Sequence, residues 1–152
     1  MGDSLQVVAI SREDLNPVVA LVSDVSELDV LPHFSEQGRL AFSSKVIPDI
    51  KTAFDEACFK SFKAVDGDNI VGFGAIRNDD YITHLFVDKK TQGRGVGKLL
   101  LRRLLGLAAS GEVRLRASVN AAGFYAAQGF IATGDESEVN GIRFVPMLWV
   151  RT

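Results

Sequence analysis

The sequence predicts a mixed α/β fold, a sheet built largely from an antiparallel meander and covered by helices on its faces, and three observations lead there. Residues 113–119 alternate Val113, Leu115, Ala117 and Val119 with Arg114, Arg116 and Ser118, the period-two pattern of a half-buried strand. Over residues 95–109, Val96, Leu99, Leu100, Leu104, Leu107 and Ala108 recur at helical spacing, with Lys98, Arg102 and Arg103 on the wetter side. Two apolar-rich runs, 59–65 and 70–76, are joined by Asp66-Gly67-Asp68-Asn69, whose Gly and Asn suit a tight hairpin turn.

The remaining elements fall around these. Residues 5–10 form a short apolar run that suits a first strand. Ser11 then stands where a side-chain oxygen can cap a helix, Glu13 and Asp14 complement its positive end, and Leu15, Val18, Val19 and Val22 continue at helical spacing. Pro32 and Pro48 punctuate the next stretch into two short helices, over 36–42 and 49–56. Asn78-Asp79-Asp80 makes a turn into a strand over 81–87, and Ser110-Gly111 ends the long helix. Asn120 caps a short helix that runs through Ala127 and stops at Gly129. Residues 130–133 and 142–150 read as closing strands around an Asn140-Gly141 turn.

The 152 residues fit one domain, 1–152, and the 47% hydrophobic and 24% charged fractions are those of an ordinary globular chain. A net charge of -2 supplies no basic field for nucleic acid or anionic lipid, so neither is an expected partner. No apolar run approaches the roughly 20 residues of a membrane span. The single cysteine, Cys58, and the two separated histidines, His33 and His84, offer neither a disulfide nor a metal cluster, which points to a cytoplasmic protein without a metal. Cys58 itself reads as a buried small apolar residue. The sequence leaves the oligomeric state open, a homodimer included.

Gln92-Gly93-Arg94-Gly95-Val96-Gly97 lies between a strand ending at Val87 and the amphipathic helix. The first turn of a helix has N–H groups without internal partners and the positive end of the dipole, and glycines keep side chains out of a phosphate's way. A pyrophosphate can lie across Gln92–Lys98, with Arg94 and Lys98 adding charge, although a glycine-rich string can also simply turn the chain. A Walker loop is excluded because Gly97-Lys98 is followed by Leu99, and a dinucleotide fingerprint because Gly93, Gly95 and Gly97 have the wrong spacing.

On these residues the chain resembles the GNAT N-acetyltransferase superfamily. Its signature [QR]-x-x-G-x-[GA] is met by Gln92, Gly95 and Gly97, and the preceding Tyr81-Ile82-Thr83-His84-Leu85-Phe86-Val87-Asp88 is similar to the family's fourth strand. A second block, Asn120-Ala121-Ala122-Gly123-Phe124-Tyr125-Ala126-Ala127-Gln128-Gly129-Phe130, resembles the family's N-x-x-A and [FL]-Y-x-x-x-G-F elements, with Gly123 departing from the usual Ala or larger residue. The likeness covers residues 58–135 well and the N-terminal part only in pattern.

The resemblance implies an acetyl-CoA-dependent N-acetyltransferase with a splayed central sheet flanked by helices on both faces. The backbone of Leu85, Phe86 and Val87 would bond the pantetheine, Gln92, Gly93, Arg94, Gly95, Val96, Gly97 and Lys98 would hold the pyrophosphate, and Asn120 and Phe124 would add contacts. Tyr125 matches the residue that protonates the departing thiolate; without the resemblance it would read as a core aromatic. The family often places a carboxylate base where this chain has Tyr81. His84 is the leading candidate base, though alternation sets it on the face opposite Leu85, and His33, Glu138 or a water chain are alternatives. The acceptor is expected to be a small-molecule amine, attacking directly in a ternary complex. Competing expectations are a transferase for another acyl-CoA and a non-catalytic acyl-CoA sensor. Among the other aromatics, Trp149 defaults to core packing, as does Met147; the group Phe34, Phe42, Phe54 and Phe59 defaults to core packing with lining of the acceptor site as the alternative, and Arg114 and Arg116 default to a solvated strand face.

Overall fold

The structure, a computed structural model, describes residues 5–27, 32, 34–139 and 141–151. The chain opens with β1 (Leu5–Ala9) and a 3-10 turn (Arg12–Asp14) that leads into α1 (Leu15–Val25). Ser11 starts this turn as expected, but its hydroxyl donates to the Asp14 carboxylate (3.2 Å), which also accepts from the Ser11 N–H (2.8 Å). The second helical stretch differs from expectation. It is one helix, α2 (Glu36–Ala53), with Pro48 inside it. Proline at that position removes only one i→i−4 bond, and burial of Ile50 and Ala53 against the sheet holds the helix together across it. Ser35 caps α2, its Oγ accepting from the Gly38 N–H at 3.1 Å.

The meander follows: β2 (Phe59–Asp66), β3 (Asn69–Arg77) and β4 (Tyr81–Val87). Asn78 and Asp79 both adopt positive φ in the turn before β4, which their short polar side chains tolerate. A short 3-10 turn (Lys89–Thr91) and the glycine loop then lead to α3 (Val96–Leu105). This helix stops four residues earlier than its periodicity suggests, at Gly106, and Leu99 is 44% exposed instead of lying in the apolar stripe. β5 (Glu112–Ser118), α4 (Ala122–Ala127), β6 (Ile131–Ala132), β7 (Ser137–Val139) and β8 (Ile142–Val150) complete the chain. The three-residue β7 carries no apolar alternation and was not foreseen. Of the expected Asn140-Gly141 turn, Asn140 lies outside the described residues.

The eight strands form one sheet in the order β1-β2-β3-β4-β5-β8-β6, with β7 also paired to β8. Every pairing is antiparallel except β4 with β5. Helices cover both faces. On one, Val96, Leu100 and Leu104 of α3 and Tyr125 of α4 pack with Ile82, Val113, Leu115 and Ala117. On the other, Val18 and Val22 of α1 and Ile50 of α2 pack with Phe59, Phe73 and Ala75. Met147 and Trp149 join the first cluster, and Phe54 and Phe59 the second, as expected of core residues. Cys58 corrects the sequence reading: it is exposed, because it sits in the turn before β2 and not in the strand.

Candidate functional site

Two irregularities in β4 create the site. The first is a bulge. Opposite β3, Ala75 pairs His84 while Ile76 pairs Ile82, so Thr83 is an extra residue. Strict alternation would put Ile82, His84 and Phe86 on one face. With the bulge, Ile82 joins Leu85 and Val87 on the α3 side, while His84 and Phe86 turn toward α1 and α2. The second irregularity is a parting of strands. β4 and β5 are in register only at Tyr81↔Arg114, where the Arg114 N–H also reaches the Asp80 carbonyl at 2.9 Å. Beyond that point the strands diverge, and among the described residues the β5-facing edge of residues 83–87 has no strand partner.

The gap opens into a cleft of about 750 Å3 that runs between the two helical layers. Its floor is β4 from Ile82 to Val87, including His84, Leu85 and Phe86. One end is walled by the glycine loop and α4, with Gln92, Gly93, Gly95, Val96, Gly97, Lys98, Asn120, Phe124 and Tyr125 all lining it. The sequence-derived cofactor residues therefore come together here, except Arg94, whose guanidinium turns away to the Asp66 carboxylate at 2.9 Å.

The loop has the form an anion needs. Gly93 and Gly95 have φ of 91° and 82°, a region that favours glycine, and a Cβ at either would meet nothing within 4 Å. The space in front of the loop is thus open, and the first turn of α3 directs unpaired N–H groups toward it. Gln92 ties the loop to the strand, its Nε2 donating to the Val87 carbonyl at 3.1 Å. Gly97 fits closely under Phe124, whose ring would lie 3.4 Å from a Cβ there.

Asn120 is placed differently from its predicted role. The N-cap of α4 is Ala121, and the Asn120 Oδ1 accepts from the Ser118 hydroxyl at 2.8 Å. Tyr125 is buried between Phe124 and Phe130, with ring centroids at 5.2 and 5.5 Å. Desolvation pushes its hydroxyl pKa above the ordinary tyrosine value, so the phenol keeps its proton. His84 packs between Phe73 and Phe86, at 5.5 and 6.3 Å, and its Nδ1 shares a hydrogen bond with the Thr83 hydroxyl at 2.8 Å. Burial lowers its pKa to about 4, so the ring is neutral near pH 7. Glu138 is exposed on β7 in register with Arg143, and it does not line the cleft; His33 lies outside the described residues.

The far end of the cleft brings together residues that the sequence read chiefly as core or as a solvated strand face with others that it did not single out. Phe34, Phe42 and Lys45 come from α2 and its approach, Arg116 from β5, and Arg143 and Phe144 from β8. Phe34 and Phe42 meet edge-to-face at 5.7 Å, so these two line a site as well as pack. Arg116 is exposed, as the alternation of β5 leads one to expect, and its guanidinium lies 4.6 Å from the Phe144 ring centroid. Only the β5–β8 pairing brings these together, and nothing in local spacing announces it. Among the described residues, no group of three or more His, Cys, Asp or Glu could hold a metal ion, and no helix is long and apolar enough to cross a membrane.

Comparison with known proteins adds the following. Residues 30–151 match the model of an acetyltransferase (GNAT) domain. No curated protein matches the sequence. A GCN5-related N-acetyltransferase from Rhodopseudomonas palustris, described as an aminotransferase of class II, superposes with a TM-score of 0.82 at 23% identity, covering 95% of this chain and 94% of that one. The PaiA N-acetyltransferase of Thermoplasma acidophilum, in complex with coenzyme A, gives 0.77 at 16% identity over 96% and 98%. A variant of the spermidine N-acetyltransferase SpeG from Vibrio cholerae gives 0.68 at 16% identity over 98% and 95%. At these identities the likeness is one of fold.

Proposed function

Since the chain belongs to the GNAT acetyltransferase family, we propose that it moves an acetyl group from acetyl-CoA to the primary amine of a small molecule, by direct attack with both substrates bound. The observation that carries this reading is the parting of β4 from β5 beyond Tyr81↔Arg114, directly beside the open glycine loop at the start of α3. An extended, amide-bearing arm can pair with the vacant strand edge at Leu85, Phe86 and Val87, while its pyrophosphate meets the first turn of α3.

The roles of the side chains follow from their surroundings. Gly93 and Gly95 leave room for the phosphates, Lys98 adds charge, and Phe124 covers Gly97 beside the arm. A backbone N–H on the vacant edge of β4 stabilises the negative charge that gathers on the carbonyl oxygen as the amine adds. The new C–N bond forms, the C–S bond breaks, and sulfur leaves with the electron pair. Tyr125 gives its proton to that sulfur. Its raised pKa keeps it protonated beforehand, and the same desolvated surroundings make the thiolate more basic as it develops.

The nitrogen must lose one proton as it becomes an amide. His84 lines the cleft in its neutral form and is the leading acceptor, with ordered water as the alternative. A ring with a pKa of about 4 is a weak base, but a nitrogen already bonded to the carbonyl carbon is a far stronger acid than a free ammonium. The proton lost there balances the one Tyr125 donates, and the products are an amide and a free thiol.

Isothermal titration with acetyl-CoA tests the reading, repeated on Gly95→Glu, which puts a carboxylate where the phosphates would lie. Micromolar binding that vanishes in the variant, with an intact fold by circular dichroism, supports it; thiol release on adding amines then separates a transferase from a sensor. No heat and no thermal stabilisation of the native protein by acetyl-CoA would sink it.

A further inference from the structure

The acceptor end of the cleft carries an unbalanced charge pattern, and it bears on which amines this chain takes. Three cations line that end, Lys45, Arg116 and Arg143, and among the described residues no Asp or Glu lines any part of the cleft. Two of the three are opposed by carboxylates set back from the wall. Glu136 binds Arg143 at 2.7 Å, and Asp49, one helical turn after Lys45 on α2, feels that lysine's charge. Arg116 has no carboxylate partner among the described residues. Its recorded contact is the face of Phe144, at 4.6 Å, which orients the planar guanidinium while leaving its N–H groups for a ligand.

Position separates Arg116 from the phosphate site. Leu115 and Ala117 point into the cluster shared with α3, so Arg116 projects to the opposite face of β5, the one toward which His84 and Phe86 also turn. Phe34, Phe42 and Phe144 surround that space with apolar surface. A polycationic amine would meet three like charges there and, among the described residues, no carboxylate on the cleft wall. An amine that also carries an anion would meet a forked donor set against aromatic walls.

We propose that the acceptor is an amine bearing an anionic group, a carboxylate above all, which Arg116 holds while an apolar body rests against Phe34, Phe42 and Phe144. This rests on the acetyltransferase reading above.

The test uses matched acceptors, phenylalanine with 2-phenylethylamine, tryptophan with tryptamine, leucine with 3-methylbutylamine and 4-aminobenzoate with aniline, together with spermidine. Thiol release is followed in the native protein, Arg116→Gln and Arg116→Lys, with acetyl-CoA affinity measured in each by titration. The expected result is a kcat/KM at least tenfold higher for one or more carboxylates than for the partner lacking it. In Arg116→Gln that preference falls about tenfold, by loss of a charge-assisted contact, with acetyl-CoA affinity unchanged, and Arg116→Lys recovers part of it. Equal or better use of the amines without a carboxylate, preference for spermidine, or no turnover of any carboxylate by a protein that binds acetyl-CoA overturns the proposal. So does a collapse of acetyl-CoA affinity in Arg116→Gln. Failure of the native protein to bind acetyl-CoA is the separate result that removes the underlying reading.

Discussion

Gly38 of α2 and Gly141 at the start of β8 stand so close that neither has room for a side chain. A Cβ on Gly38 would overlap the Gly141 carbonyl, and one on Gly141 would overlap the Gly38 backbone and the Ser35 hydroxyl that caps α2. This contact fixes the first turn of α2 against the β7–β8 hairpin, two walls at the far end of the cleft.

Gly38→Ala is therefore expected to force the walls apart. Overpacking of this kind costs about 2 kcal/mol, which for a chain of this size lowers Tm by roughly 4–8 °C. A thermal melt checks the stability. In steady-state kinetics KM for the acceptor should rise with KM for acetyl-CoA little changed, because the glycine loop lies at the other end of the cleft. A change confined to the acetyl-CoA KM would place the acceptor elsewhere.

Tyr125→Phe tests the proposed proton donor. The ring is buried between Phe124 and Phe130, so phenylalanine keeps the packing and removes only the hydroxyl. We expect kcat to fall by about 100-fold, the ordinary size of a general-acid contribution, with acetyl-CoA affinity retained. Because burial raises the Tyr125 pKa above its ordinary value, the native rate should show no alkaline decline from loss of this proton below about pH 10. Unchanged kcat in the variant would leave Tyr125 a packing residue.

A third prediction concerns the joint between α1 and the sheet. Burial disfavours the Asp14 carboxylate, but the Ser11 backbone bond and Lys63 of β2, at 2.9 Å, outweigh it and hold its pKa below the ordinary value. A lowered pKa contributes stability above the ordinary carboxylate range, and that stability is lost as pH falls through the folded value. Asp14→Asn should cost about 2 kcal/mol at pH 7 and progressively less as pH falls below the ordinary carboxylate range, a convergence that denaturant melts at several pH values would show. A cost independent of pH would assign the loss to packing instead.

Residues 81–130 were the most legible part of the chain, because two kinds of local signal coincide there. Glycines with positive φ sit at a strand-to-helix junction, and a period-two strand follows a period-3.6 helix. The N-terminal half read less well for definite reasons. Pro48 marks a break by local rule, yet packing of Ile50 and Ala53 carries α2 through it. Asn120 has the right chemistry to cap α4 but lies one residue too early, and spends its side chain on Ser118. Thr83 offers no sign of a bulge, although the bulge decides that Ile82 shares a face with Leu85 and not with His84. The far end of the cleft joins α2, β5 and β8, separated by long stretches of sequence, and only the fold brings Arg116 to Phe144.

His84 yields the fourth prediction, in which stability and rate answer different questions. Its folded pKa is about 4 against an ordinary 6.5, so the unfolded chain takes up a proton first as pH drops. Stability is then full above about pH 6.5 and declines through the window down to about pH 4, by up to about 3 kcal/mol and less where cleft water reaches the ring. His84→Phe should flatten that part of the curve, and the difference between the native and variant melts measures it free of the carboxylates. For the rate, a neutral imidazole is present throughout the physiological range, so protonation of His84 cannot produce an acid limb near pH 6–7 in kcat/KM. Such a limb should instead follow the ammonium of whichever acceptor is used, shifting as that amine is changed. If His84 receives the proton, His84→Ala lowers kcat by about 10- to 100-fold without moving that limb. If kcat survives the substitution while the stability window disappears, the ring is a buried neutral packing group and water takes the proton.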